Sequence, residues 1–333
     1  MAESNLRVLL KARPEGQVGP GHFGLREEAP PLPRSGEALL RNRFLSLDPY
    51  MRGRMSAAKS YSAPVEIGAV MEGQTVAQVV EDPTGRLRAG DWVLGGMGWQ
   101  RFCAVPAAGL RVLDPAVAPV TTALGVLGMP GTTAWVGTTE IAPPRPGETF
   151  VVSAASGAVG SVAGQIAMRM GAKVVGIAGG AEKCAFVREE LGFPACVDHR
   201  AADFPALLAA ACPDGIDSYF ENVGGAVQRA VWPLLNDFAR VAFCGMVAEY
   251  NDAEPAPGPN LMQVVRKRLR LQGFIVRDHP RAFQDWPRIG GAWLREGSLR
   301  YREDVVQGLE RAPEAFVGLL AGRNFGKLVV EIT

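Results

Sequence analysis

At 333 residues the chain is long enough for two domains, each with its own core. Its 35 Lys and Arg against 34 Asp and Glu leave a net charge of +1, which excludes the basic footprint of a nucleic-acid binder and a charged tail. The opening Met-Ala-Glu-Ser-Asn-Leu-Arg lacks the apolar core of a signal peptide. Cys103, Cys184, Cys196, Cys212 and Cys244 are odd in number, far apart and form no C-x-x-C, which points to reduced thiols in a cytoplasm rather than to a disulfide framework or a zinc knuckle.

Along the first hundred or so residues, Pro and Gly punctuate short β-favouring pieces at 37–42, 75–81 and 91–94, a texture that predicts a small irregular β-barrel. Asp82-Pro-Thr-Gly85 and Arg88-Ala-Gly-Asp91 read as chain reversals between them. The uncharged run 115–139 is broken by Pro119, Pro130 and several Thr and Gly, so it reads as a loop and a buried helix, not a membrane span.

Near residue 124 the periods lengthen. The stretch 149–168 reads as an apolar strand, a small-residue turn and an amphipathic helix. On the dinucleotide fingerprint G-x-G-x-x-G its three glycine places fall on Ala155, Gly157 and Gly160, with Ala158 and Val159 between the last two. Such a turn lets backbone N–H groups reach a pyrophosphate at a helix N-terminus. A second strand at 173–178 completes a strand-helix-strand unit. Helices at 182–191 and 204–211 then alternate with strands at 195–197, 216–221 and 240–244, the pattern of a doubly wound parallel sheet.

The 254–260 stretch, rich in Pro, reads as a stiff surface loop. The basic run 266–270 reads as a solvated helix face, with Leu261, Val264, Val265, Leu269 and Leu271 as its buried side. Residues 327–332 form a final strand that can return to the first domain.

Cofactor choice is legible locally. In an NAD-specific fold an Asp or Glu at the end of the second strand, about 20 residues past the glycines, binds the ribose 2′-hydroxyl. Here that place holds Gly179 and Gly180, and nothing there repels a 2′-phosphate. Lys183 follows on the next helix, either as a phosphate ligand or as an ordinary solvated lysine beside Glu182.

Four segments carry a resemblance that spans essentially the whole chain. They are Leu-Ser-Leu-Asp-Pro-Tyr-Met-Arg at 45–52; Met-Pro-Gly-Thr-Thr-Ala at 129–134 with Ala-Ala-Ser-Gly-Ala-Val-Gly at 154–160; Phe-Glu-Asn-Val-Gly-Gly at 220–225; and Asn-Phe-Gly-Lys at 324–327. Together they resemble the zinc-independent medium-chain dehydrogenases/reductases, within them the prostaglandin reductase, alkenal double-bond reductase and curcumin reductase group. The resemblance implies a GroES-like β-barrel catalytic domain from residues 1–124, completed by 299–333, and a Rossmann NADP-binding domain at 125–298. It also implies NADPH as cofactor, reduction of the C=C bond of α,β-unsaturated aldehydes and ketones, and a homodimer paired at the Rossmann sheet edges.

By the same resemblance Lys183 touches the adenosine phosphate, with His199 standing where the family has a tyrosine and Arg200 beside it. Gly157, Ala158, Val159 and Gly160 form the pyrophosphate loop. Asn222, Cys244, Gly245, Tyr250, Phe274, Ile275, Val276 and Asn324 complete the cofactor contacts. Cys244 is expected to be packing, since no His lies near it in sequence.

A zinc alcohol dehydrogenase is the competitor. The histidines, His22, His199 and His279, stand in no Gly-His-Glu segment, and residues 45–52 occupy the place of the first cysteine ligand, so no metal is expected. Hydride delivery to the β-carbon of an enone leaves an enolate that needs a donor and then a proton. Tyr250 is the first candidate and Tyr50 the second, with the cofactor's ribose hydroxyl or solvent as alternatives; an unperturbed tyrosine, pKa about 10, is protonated and able to donate. Arg52 is expected to be structural. A quinone reductase and a non-catalytic nucleotide-binding protein are the other readings.

Overall fold

The computed structural model describes residues 3–252, 254 and 257–333. The chain divides into two compact units, Met1–Leu124 with Glu303–Thr333, and Gly125–Arg302. The first stretch of unit one carries β1 (Asn5–Leu10), β2 (Phe23–Glu28), β3 (Glu37–Ser46), the short α1 (Met51–Arg54), β4 (Thr75–Glu81), β5 (Trp92–Gly95), β6 (Phe102–Pro106) and β7 (Arg111–Leu113).

Unit two begins with α2 (Met129–Val136), β8 (Thr149–Ser153), α3 (Gly160–Arg169), β9 (Lys173–Ala178), α4 (Ala181–Glu189), β10 (Ala195–Asp198), α5 (Phe204–Ala211) and β11 (Ile216–Glu221). It continues with α6 (Gly225–Val231), β12 (Leu235–Phe243), α7 (Met262–Lys267), β13 (Arg270–Gly273) and α8 (Ala282–Arg295). Unit one resumes with β14 (Glu303–Gln307), α9 (Ala312–Leu320) and β15 (Lys327–Glu331).

In unit one the punctuated pieces build a mixed sheet in the order β14-β15-β3-β4-β5-β7, with β6 also on β3 and a separate β1-β2 hairpin. Inward residues of β3 alternate, so Ala38 and Leu40 meet Ala77, Val79 and Val93 in one small core. A larger one gathers Leu45, Met51, Trp99, Phe316 and Leu328. Trp99 stacks on Phe23 with centroids 5.5 Å apart and meets Phe316 edge-on. The two reversals after β4 form as their chemistry dictates: Asp82 accepts the N–H groups of Thr84 and Leu87, Asp91 accepts that of Arg88, and Gly85 and Gly90 take φ of 72° and 91°.

Unit two is a six-stranded sheet ordered β10-β9-β8-β11-β12-β13, parallel throughout. Helix α3 packs on β8 and β9, α4 on β9 and β10, and α7 on β12. The chain builds outward from β8 through β9 to β10, then crosses to β11 and builds the other way. The switch point lies between β8 and β11, where doubly wound sheets bind their ligands.

Two expectations need correction. Leu261 and Val265, expected on the buried side of the basic helix, are 65% and 72% exposed, while Leu269 is buried and Val264 and Leu271 pack on the core. The helix is six residues long and Arg268 ends it in the left-handed conformation at φ 48°, so only Val264 and the residues after the turn reach the sheet. The basic run is also more engaged than a solvated face. Lys267 donates to the carbonyls of Pro233 and Leu235, and Arg268 pairs with Asp237 at 2.6 Å. Pro255 and Ala256 of the Pro-rich loop lie outside the described residues.

Candidate cofactor and active site

The loop after β8 shows why three small residues sit where they do. Ala154 takes φ 52°, left-handed for a residue with a side chain. Its carbonyl accepts the N–H of Gly157 at 2.9 Å and is overlaid by the first turn of α3. A Cβ on Gly160 would stand 2.3 Å from that oxygen, so only glycine lets the helix start there. Ala155, at the first glycine place of the fingerprint, is tolerated because Gly176 faces it from β9; a Cβ on Gly176 would come within 2.8 Å of the Ala155 methyl.

Across the switch point β8 and β11 are clasped by side chains. Ser153 Oγ donates to Glu221 Oε1 at 3.0 Å and accepts the Asn222 N–H at 2.8 Å, while Asn222 Nδ2 donates to the Ser153 carbonyl at 2.8 Å. Glu221 Oε1 also accepts the N–H groups of Val223 and Gly224. The carboxylate is fully buried and shapes the whole turn after β11. Glu221 was not among the expected site residues. Its signal is an acid at the end of the apolar run Tyr219-Phe220, at the carboxyl end of a strand.

Beyond β12, the N–H groups of Cys244 and Gly245 bind the Glu221 carbonyl. A Cβ on Gly245 would lie 2.8 Å from the Tyr250 hydroxyl and 3.8 Å from the Asn222 carbonyl, so the phenol tip occupies the space glycine leaves. Asn222, Gly245 and Tyr250 are therefore neighbours. Burial, with Glu221 nearby, pushes the Cys244 thiol up to about 12, so it stays protonated and is no nucleophile. Phe274 meets Phe220 edge-on at 6.2 Å over Gly137, and Val276 is buried behind it next to Ile275.

On the other side of the switch point, the turn after β9 and the loop after β10 converge. A Cβ on Gly179 would stand 2.8 Å from His199 Nε2 and 3.0 Å from Arg200 Nε. Asp198 ties the two segments, its Oδ1 accepting the N–H groups of Gly180 and Arg200 at 2.8 and 2.9 Å. These bonds lower its pKa and keep it ionised. Lys183 lies in the first turn of α4.

Tyr50 and Asn324 belong to unit one. Tyr50 packs against the core around Met51, and the buried Arg54 guanidinium lies 5.6 Å from its ring. Burial, with Asp48 and Glu72 adding, pushes its phenol well up, so it holds its proton. Asn324 Nδ2 donates to the Gly326 carbonyl at 2.9 Å. Arg52 is buried and donates to the carbonyls of Pro14 and Gly16, a structural part. The motifs at 45–52 and 324–327 meet in a buried pair that neither announces. Lys327 Nζ donates to Asp48 Oδ1 at 2.6 Å and to the Leu47 carbonyl at 2.8 Å, and Ser46 Oγ donates to the other oxygen of Asp48.

Residues 7–113 match the family model for the N-terminal domain of oxidoreductases, and 158–291 match that for zinc-binding dehydrogenases. The chain is 49% identical to the NADPH-dependent curcumin reductase of Escherichia coli, over 99% of this chain and 97% of the relative. It is 40% identical to prostaglandin reductase 1 of Rattus norvegicus, over 97% of each. The chain belongs to the prostaglandin, alkenal and curcumin reductase group of the medium-chain dehydrogenases/reductases. CurA of Vibrio vulnificus, solved in complex with NADPH, superposes on this reductase with a TM-score of 0.95 at 47% identity, covering 98% of this chain and 99% of that one. The group consists of NADP-dependent oxidoreductases with a Rossmann sheet and a GroES-like catalytic domain. Although one matching model is named for zinc, the described residues of this reductase contain no group of three or more His, Cys, Asp or Glu able to hold a metal.

Proposed function

We propose that the chain reduces the C=C bond of α,β-unsaturated ketones and aldehydes with NADPH. The observation that carries this reading is the Tyr250 hydroxyl set over Gly245, beside the Asn222 turn at the carboxyl end of the sheet. NADPH, when bound, supplies the hydride that goes to the β-carbon. Tyr250 donates a hydrogen bond to the substrate oxygen and steadies the enolate, and a proton drawn from solvent, directly or through the tyrosine hydroxyl, then goes to the α-carbon. Tyr50, kept protonated by its burial, is the second candidate for that donor role.

The small residues fit the cofactor. Gly160 lets α3 start against the Ala154 carbonyl, so that the loop of Gly157, Ala158, Val159 and Gly160 can turn its N–H groups to the pyrophosphate, and Gly179 leaves the room that the His199 and Arg200 side chains take. We assign Lys183, His199 and Arg200 to the 2′-phosphate end. Asn222, Cys244, Gly245, Phe274, Ile275, Val276 and Asn324 are assigned to the rest of the cofactor.

The test is NADPH oxidation with short alkenals, cyclic enones, bulky dienones and quinones, run on the wild type and on Tyr250→Phe. Enones are expected to outpace quinones, and the variant to lose about 10- to 100-fold in kcat with little change in NADPH affinity. Faster turnover of quinones would replace this reading by a quinone reductase. Unchanged kcat in the variant would remove Tyr250 as donor.

We also propose a homodimer paired along β13. That strand ends the sheet, and Leu261, Met262 and Val265 beside it are exposed. A monomer mass by light scattering would overturn it. The five cysteines are unpaired, which favours a reducing cytoplasm, and among the described residues no helix is long and apolar enough to cross a membrane. Recovery of the native protein from an oxidising compartment would refute that location.

A further inference from the structure

The convergence at Gly179 contains a group able to change its charge. His199 folds over the turn with Nε2 2.8 Å from where a Cβ would sit, and its own N–H is anchored to the Ala178 carbonyl at 3.0 Å. His199 is otherwise exposed to solvent. The charged groups that face it are Arg200 and Asp198 on its own loop and Lys183 on α4. The partial burial of the ring lowers its pKa, Arg200 and Lys183 lower it further, and Asp198 opposes them, with a net downward result. In the protein without ligand the imidazole is therefore neutral around pH 7. A doubly charged anion entering among Lys183, His199 and Arg200 reverses that field and favours the imidazolium.

We propose that His199 takes up a proton from solvent when the 2′-phosphate of NADPH binds, so that this chain selects NADPH over NADH more strongly in mildly acidic than in alkaline solution. The proposal rests on the reading of Lys183, His199 and Arg200 as the phosphate end. Its sign follows from linkage. A group whose pKa is higher in the complex strengthens binding below that value, and the gain is lost as pH rises through it. Between the two pKa values the preference changes by up to about tenfold per pH unit. Below about pH 6 the phosphate takes up its own proton and the effect flattens.

Calorimetric titration of the full chain with 2′,5′-ADP and with 5′-AMP, in two buffers of different ionisation enthalpy, counts the protons directly. The expected result near pH 7.5 is an uptake of part of one proton for 2′,5′-ADP and none for 5′-AMP. His199→Gln is expected to abolish the uptake and to level the ratio of the two affinities from about pH 6.5 to about pH 8.5. His199→Tyr, which keeps an aromatic donor over Gly179, should level it too while retaining a preference for 2′,5′-ADP. The same uptake in wild type and both variants, with the preference intact, would overturn the role of His199 alone. Equal affinity for the two ligands at every pH would overturn the phosphate end itself, and with it the proposal.

Discussion

Lys183→Ala is expected to raise the Kd for NADPH about 10- to 100-fold while moving that for NADH by less than about twofold. The turn before α4 holds Gly179 and Gly180, and the Asp198 carboxylate beside it is taken up by the N–H groups of Gly180 and Arg200, so the proposed assignment separates the two cofactors by cations and not by a carboxylate clasp on the ribose. In that assignment Lys183 is one of three such groups, and a charge-assisted hydrogen bond to a phosphate contributes about 1.5–3 kcal/mol. Asp198 holds the Arg200 backbone N–H and the Arg200 side chain lies over Gly179, neither contact involving Lys183, which is why selectivity should fall without vanishing. Fluorescence titration with both cofactors reads the split. An equal loss for NADPH and NADH would mean that Lys183 shapes the helix start instead of meeting the phosphate.

A second large effect is expected far from the cofactor. Lys327→Met should destabilise unit one by about 3–5 kcal/mol, because it leaves Asp48 buried with no counter-charge. Lys327 and Asp48 are 3% and 5% exposed. The Leu47 carbonyl would lose its donor as well. A second change, Asp48→Leu, should recover part of the loss, since an apolar pair of similar volume tolerates burial better than a lone charge. The midpoint of thermal unfolding, followed for the two single variants and the double, tests this. A fall of less than about 2 °C in the single variant Lys327→Met would refute the coupling.

That pair shows where the sequence stops being readable. Asp48 and Lys327 each lie in a recognisable motif, but their contact closes a gap of 279 residues, and no local period records it. Elements within the doubly wound sheet are legible because a buried parallel strand and a helix with one apolar stripe have distinct periods, as at Thr149–Ser153 and Gly160–Arg169. Strand β12 begins at Leu235, five residues before the expected 240. Asn236, Asp237 and the exposed Phe238 at φ 63° interrupt its apolar pattern, and the ladder with β11 shifts register there. Helix α8 is hidden by Pro287 and by Gly290 and Gly291, yet Trp286 inside it anchors to the Val126 carbonyl at 2.7 Å.

At the site, the missing acid at Gly179 and the small residues of the 154–160 loop could be read from the chain. The folding of His199 and Arg200 over Gly179 could not, because it depends on how two separate loops meet. Glu221 is intermediate. Its residue type is visible, but two of its three donors come from a turn whose shape it creates itself, and the third, Ser153, comes from β8.

The strand order of unit one bears on how the protein is made. Strand β15 lies between β3 and β14, and Leu328, Val330 and Ile332 join the core around Trp99. On the ribosome all of Gly125–Arg302 emerges before β15 does. At typical rates of translation, Phe44, Leu45 and Ser46 wait roughly 15–60 s for the strand that covers them. The parallel sheet can therefore fold while its neighbour in sequence is still unfinished, and the bare end of β3 is the place where a nascent chain is most exposed to wrong pairing.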